Sequence, residues 1–312
     1  MESYFNKCRD NISGKKISID IDSMIKDLQK KGNWILEHIR KNEWIDSTDG
    51  LGWFNGYYDD NSEQLESGDL QNIKMTLTGQ AFNIMGGVAT QEQIGKIVKA
   101  ADKYLKDERV GGYRLNNDFK EVKLNMGRLF GFAFGHKENG AMFSHMAVMY
   151  SNALYKRNFA NEGFKVIDGI YNHCMDFGVS KIYPGMPEYI DMKGRGMYHY
   201  LTGSASWMIL NMVTEVFGVK GYYGDLVLEP KILLKQFDKN GVAKINTLFA
   251  DKILEISYVN LNSKEYGEYN IKGIEINGEE IEPIKKESQL IIRRSTLEAL
   301  GDSKNEIKVT LV

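Results

Sequence analysis

The sequence predicts a mainly α protein with a C-terminal β domain. Apolar residues recur at helical spacing up to Tyr222, and beyond it they alternate with period two. The breaks in this second part are rich in Asn, Gly and Lys, and Ile276-Asn277-Gly278-Glu279 is a type I′ hairpin signal. We expect a helical domain over residues 1–224 and an antiparallel β domain over residues 225–312.

In chain order, Ile21, Met24, Ile25, Leu28, Trp34, Ile35, His38 and Ile39 define one helix, or two short ones meeting at Gly32. Asp46 to Gly50 is a turn by composition. Trp53 to Asp60 holds so many rings for a loop that it reads as a pocket wall. Thr76 or Thr78 caps a helix through Phe82 and Met85, which Gly86-Gly87 ends. Thr90-Gln91-Glu92-Gln93 is a capping box for the next helix, reaching Leu105. Asp107 to Asn125 is polar connection. Ala141 to Tyr155 and Asn161 to Tyr171 read as further helices, the first of them buried. Pro184 and Pro187 forbid regular helix near Tyr183 to Tyr189. Thr202 or Ser204 caps a last helix through Trp207 to Val216, closed by Gly218. Strands follow around Leu226, Val242, Ile253, Ile271, Leu290 and Ile307.

The 312 residues carry 40 basic and 42 acidic side chains, a net charge of -2, so no global field draws nucleic acid or an anionic membrane. Cys8 and Cys174 have neither zinc nor redox spacing, and so few cysteines suit a reducing cytoplasm. The N-terminal segment lacks a secretory pattern, and no apolar run approaches the roughly 20 residues that cross a bilayer. Walker, GxGxxG and HExxH patterns are absent and the five histidines have no chelating spacing, which argues against a nucleotide cofactor or a metal.

The basic and hydroxyl residues His136, Lys137, His145, Thr202 and Ser204, with Arg195, are the mixture that a tetrahedral anion requires. Lysine supplies a point charge, histidine a directed donor, and a hydroxyl at a helix start acts beside free backbone N–H groups. Gly203 lets the backbone approach the anion closely. The residues alone equally allow each histidine to be a core or loop residue and Thr202 an ordinary cap. Among the carboxylates Asp59, Asp60, Glu66, Glu138, Asp176, Glu188 and Asp191, glycosidic cleavage needs one proton donor at the bridging oxygen. Phosphate as nucleophile needs no general base. Asp59 and Asp60 also read as solvated or capping residues, whereas Glu138-Asn139 beside Lys137 suits a grip on sugar hydroxyls. Tyr198, His199, Tyr200 and Trp207 are candidate pocket walls, and Trp207 equally fits a helix core.

Three segments, Gly52-Trp53-Phe54-Asn55-Gly56-Tyr57-Tyr58-Asp59-Asp60, Gly135-His136-Lys137-Glu138-Asn139-Gly140 through His145, and Tyr200-Leu201-Thr202-Gly203-Ser204-Ala205-Ser206-Trp207, resemble the catalytic domain of glycoside hydrolase family 94. That family contains the cellobiose and chitobiose phosphorylases. The segments Gly131 to Gly135 and Lys181 to Tyr189 are most similar to the branch acting on 1,2-β-oligoglucans. The resemblance covers Ile21 to Tyr258 and implies an (α/α)6 barrel followed by a β domain. It further implies inverting phosphorolysis of a β-glucoside to α-glucose 1-phosphate, with inorganic phosphate as co-substrate and no cofactor.

By the same resemblance His145, Thr202 and Gly203 bind phosphate, and Lys137, Glu138 and Asn139 lie at the pocket rim. His136, Arg128, Glu188, Trp207, Asp59 and Asp60 are further candidate phosphate or sugar contacts. The family's general acid belongs to a Trp-Asn-Asp-like motif upstream of the Gly-Trp-Phe segment, and nothing from Met1 to Trp53 matches it. Arg128 stands where cellobiose phosphorylases carry a Glu. We therefore expect the C-terminal portion of a phosphorylase, about the last half of its barrel. Such a portion calls for a complementary N-terminal chain or self-association, or is an inactive remnant. A hydrolytic or carbohydrate-binding α-toroid is the remaining alternative.

Overall fold

A computed structural model describes residues 17–182, 185–199 and 202–312, together with Glu2, Ser3 and Asn6. The readings at Cys8, Tyr183, Pro184, Tyr200 and Leu201, and most of those at the N-terminal segment, lie outside these residues. By its contacts the chain divides into two units, at Glu43/Trp44.

In the first unit, α1 (Ile21–Asn42) starts at Asp20, whose carboxylate accepts from the Ser23 N–H at 2.8 Å. It runs unbroken through Gly32, so the two-helix alternative does not hold. A single glycine costs a helix only about 1 kcal/mol. No residue of α1 is buried, and Ile21, Ile25, Leu28 and Ile35 are exposed.

The second unit is built around a buried helix. Its helices are α2 (Leu77–Met85), α3 (Gln91–Tyr104), α4 (Ser144–Lys156), α5 (Ala160–Met175), the short α6 (Phe177–Ser180) and α7 (Gly203–Asn211). The capping box of α3 forms as its sequence predicts, with Thr90 and Gln93 bonded reciprocally at 3.2 and 3.0 Å. Thr76 sits at the N-cap of α2 but makes no capping bond. Its hydroxyl donates instead to the buried Glu66 carboxylate at 2.5 Å. α4 is packed by α2, α5 and α7, and every residue from Ala147 to Tyr155 is buried. Beyond Asn211 the last helix widens into a π turn over Met212–Val216, and Gly218 follows at φ +67°.

Strands begin at Val219, whose hairpin Val219–Tyr222/Asp225–Leu228 straddles Gly224. This hairpin belongs to a four-stranded sheet with Gln289–Ile292 and Ile284–Lys286. The second sheet has five strands in the order Val242–Phe249, Lys252–Asn260, Asn305–Leu311, Ile271–Ile276 and Glu279–Ile281. Asn277 and Gly278 take φ +51° and +86°, the conformation of a type I′ hairpin. The expectation of a wholly antiparallel domain is corrected at one pairing: Asn305–Leu311 runs parallel to Lys252–Asn260. The chain between them includes the hairpin of Ile271–Ile281 and α8 (Arg294–Glu298), long enough to return to the starting edge as a parallel pairing requires. Leu228, Leu254, Ile256, Ile274, Leu290, Ile292, Ile307 and Val309 share one core with Tyr155, Ala160 and Ile167 of α4 and α5.

The helical domain also contains short strands: Trp44–Asp46 with Gly52–Phe54, and Met142–Phe143 with Tyr189–Ile190 and Gly196–Met197. Trp53 and Phe54 are 0% exposed, so this part of the expected pocket wall is core. Among the described residues no helix is long and apolar enough to cross a membrane, and no group of His, Cys, Asp and Glu could hold a metal ion.

Candidate functional site

The starts of α4 and α7 meet. A buried polar ladder sets their register: Asn211 donates to Ser151 Oγ at 3.0 Å, Asn152 donates to Asn211 at 3.3 Å, and Ser151 donates to the Gly163 carbonyl at 2.8 Å. With the helices so aligned, the His145 imidazole lies on the Cα of Gly203. A Cβ there would sit 2.8 Å from its Cε1 and Nδ1. Only glycine permits this approach. Trp207, one turn along α7, flanks the imidazole with ring centroids 5.9 Å apart. Thr202 is the N-cap of α7, its hydroxyl oxygen accepting from the Ser204 N–H at 3.3 Å. Thus His145, Thr202, Gly203 and Trp207 come together.

This junction has an unusual polar inventory. Buried polar groups are nearly always hydrogen-bonded. Yet His145 Nε2, Ser144 Oγ and Ser204 Oγ are buried without a partner among the described residues. Burial holds the His145 pKa below its ordinary value, so the imidazole is neutral at neutral pH. These side chains lie at two helix N-termini, whose dipoles favour negative charge.

The turn from Gly135 to Gly140 is built differently. Gly135 and Gly140 have φ +87° and +71°, and a Cβ would collide with Met192 at the first and Phe134 at the second. Arg114 donates to the Gly140 carbonyl at 2.6 Å, and Asn116 accepts from the Gly140 N–H at 2.8 Å. Arg114 is in turn held by Asp107 at 2.8 Å, and that guanidinium, with Arg109, pulls the Asp107 carboxyl well below the usual range. Asn139 is buried, receiving a bond from Asn116 at 3.2 Å and donating to the Phe132 carbonyl at 2.9 Å. Its side chain is therefore committed to the turn. Arg114 and Asn116 have no local signal in the sequence, because their partners lie in a distant turn.

Lys137, in the left-handed region at φ +49°, reaches Glu188 at 3.3 Å and lies 3.6 Å from the centre of the Tyr198 ring. Partial burial lowers its pKa, but the Glu188 carboxylate and the Tyr198 hydroxyl outweigh this and raise it overall. Glu188 also touches the junction, since its carbonyl accepts from the Ser144 N–H at 2.9 Å. Arg128 is paired with Glu138 at 2.7 Å, leaving Glu138 Oε2 buried and without a partner. His136 is half-buried in the turn, its N–H donating to the Ala133 carbonyl at 3.1 Å.

Other candidates fall elsewhere. Arg195 is spent on Asp191 at 2.8 and 3.0 Å, which removes it from the anion set. Asp59 organises its own loop, accepting from the Asn61 and Glu63 N–H groups at 2.9 Å and from Asn125 at 2.6 Å. The Glu63 N–H above all holds its pKa low, while Asp60 is exposed. Asp176 caps α6, and His199 is exposed. Glu66 is enclosed, its pKa pushed up to about 8 by burial, with Thr76 and the Gly56 N–H engaging both oxygens. A cavity of about 510 Å³ lies between Lys106–Tyr113 and α5. We do not place the site there, because its Lys106, Arg109 and Lys165 are each paired with a carboxylate and no unpartnered buried atom lines it.

Fold and site together define a helical domain with a polar junction of two helix starts, followed by a β domain. The chain matches the family model described as Glycosyl hydrolase 94 superfamily, catalytic domain, over residues 16–218, and it belongs to that family. Its curated relatives are phosphorylases. The solabiose phosphorylase of Paenibacillus borealis is 26% identical over 64% of this chain and 26% of its own length. The cellobionic acid phosphorylase of Neurospora crassa is 23% identical over 51% of this chain and 22% of its own. A 3-O-beta-D-glucopyranosyl-beta-D-glucuronide phosphorylase, also of Paenibacillus borealis, is 22% identical over 58% and 24%. The chain thus spans about a quarter of the length of these relatives.

Proposed function

We propose that this chain supplies the phosphate-binding side of a site that phosphorolyses β-glycosides. One observation carries the reading: His145, its Nε2 buried and unpartnered, rests on Gly203 at the meeting of two helix starts. Phosphate would accept from the imidazole, the Thr202 hydroxyl and the Gly203 N–H, with Lys137 adding longer-range attraction. One phosphate oxygen attacks the anomeric carbon while the bond to the bridging oxygen breaks. A carboxylic acid gives that oxygen its proton, and the products are an α-sugar 1-phosphate and the shortened acceptor.

Four of the candidate carboxylates do not fit the acid's role. Asp59 and Asp191 are held ionised, Glu66 is enclosed, and Glu188 is bonded to Lys137. We assign the acid to a segment outside the described residues, whether in a longer chain or a complementary one. The helices would then form part of an (α/α)6 barrel, with residues 1–224 as barrel and 225–312 as the β domain. A 1,2-β-oligoglucan is the substrate favoured by the Gly131–Gly135 and Lys181–Tyr189 segments, and the cytoplasm the compartment.

Titration of the chain with inorganic phosphate, followed by calorimetry and ³¹P NMR, tests the reading. We expect binding that His145→Ala weakens at least tenfold, and no release of glucose 1-phosphate from sophorose by this chain alone. An acid's absence removes about 10²–10⁴-fold of the rate. No phosphate binding would overturn the reading, whereas robust turnover would return the acid to this chain.

A further inference from the structure

We infer that Ser144 and Ser204 are direct ligands of the anion at the α4–α7 junction, so that this part of the grip is made by neutral hydroxyl, imidazole and amide donors. This deepens the proposed function and rests on it. Ser144 is the first residue of α4 and Ser204 the second of α7, immediately beside His145 and Gly203, which touch. Both serines are 0% exposed, and neither hydroxyl oxygen has a partner among the described residues.

Serine is a poor choice for a dry position. A buried unpaired hydroxyl costs about 1–3 kcal/mol, whereas alanine would cost nothing of the kind. A serine that served only the fold would bond a carbonyl, as Ser151 and Ser206 do at 2.8 and 3.1 Å. Ser144 and Ser204 do neither. The cations cannot take their place. Lys137 is bonded to Glu188, Arg128 to Glu138, and Arg195 to Asp191. Each of these three cations is already paired with a carboxylate, and the two helix starts supply electrostatic attraction.

The two roles make opposite predictions for alanine. If the hydroxyls await a ligand, Ser144→Ala and Ser204→Ala each weaken inorganic phosphate binding about tenfold while the melting temperature without phosphate stays level or rises. Ser144→Cys, close in volume but a weak donor, should behave like the alanine variant. Ser206→Ala on the same helix should bind phosphate as the wild type does. Calorimetric titration and thermal melts with and without phosphate read both quantities. Wild-type affinity in Ser144→Ala and Ser204→Ala would overturn the assignment and leave the phosphate site itself standing. A lowered melting temperature with unchanged affinity would likewise assign the hydroxyls to the fold. If the wild type binds no phosphate, the proposed function falls and this inference with it.

Discussion

Two polar regions of the helical domain handle their hydrogen bonds in opposite ways. In the Gly135–Gly140 turn, Arg114 and Asn116 engage both sides of the Gly140 peptide, and Asn139 is bonded in both directions. At the α4–α7 junction, His145 Nε2, Ser144 Oγ and Ser204 Oγ are left over. Both regions are rich in the residue types that a sugar or phosphate site uses. The balance of pairing distinguishes them: in the turn Glu138 Oε2 is unpartnered beside a dense network, whereas at the junction three neighbouring side-chain atoms have no partner among the described residues.

The comparison can be attacked first where the pairing is densest. Arg114→Met frees the buried Gly140 carbonyl and leaves Asp107 to Arg109. A buried acceptor that loses its donor costs about 1–3 kcal/mol, which urea unfolding should show. A cost below 1 kcal/mol would mean that the turn does not depend on this anchor. At the junction, Gly203→Ala should act by crowding. Its Cβ would meet the imidazole at 2.8 Å, costing about 1–3 kcal/mol of stability and removing phosphate binding through the displaced His145. Retained affinity would show that the imidazole does not hold the anion.

Lys137→Gln tests the region between the two. The lysine is partly exposed and its bond to Glu188 is long, so about 0–1 kcal/mol of stability is at stake. We expect phosphate affinity to fall only a few-fold, and less at high salt.

The gentlest probe is the His145 proton itself. Burial depresses its pKa, so the folded state favours neutral imidazole. The associated stability is present above the ordinary histidine pKa of about 6.5 and is lost as pH falls through the lower folded value. A bound phosphate dianion favours imidazolium and should move the pKa upward. Histidine NMR titrations with and without phosphate read the direction, and no shift would count against contact.

What was legible in the sequence was local. The Thr90–Gln93 capping box and the Asn277-Gly278 hairpin are specified by neighbouring residues and formed as expected. Thr76 carries the same local signal as Thr90, yet its hydroxyl goes to Glu66, a partner that burial places above the helix start. The parallel pairing of Asn305–Leu311 was hidden because alternation reports a strand and not its neighbour. In the candidate site, glycines and histidines marked segments that the fold brings together. The contact of His145 with Gly203 depends on the Ser151–Asn152–Asn211 ladder, whose members read as ordinary interior helix residues.

The order of strands in the larger sheet bears on how the protein is made. Asn305–Leu311 lies between the hairpin Val242–Asn260 and the hairpin Ile271–Ile281, although it is translated after both. On the ribosome the two hairpins must wait side by side, each with an open edge and no strand to join them. Chains fold progressively as they emerge, so the helices can pack first while this sheet cannot close until its middle strand has been released. Until then the exposed edges of Lys252–Asn260 and Ile271–Ile276 are templates for pairing with other nascent chains. The interval of greatest aggregation risk therefore opens once both hairpins have emerged, and it ends when a single seven-residue strand slides into place.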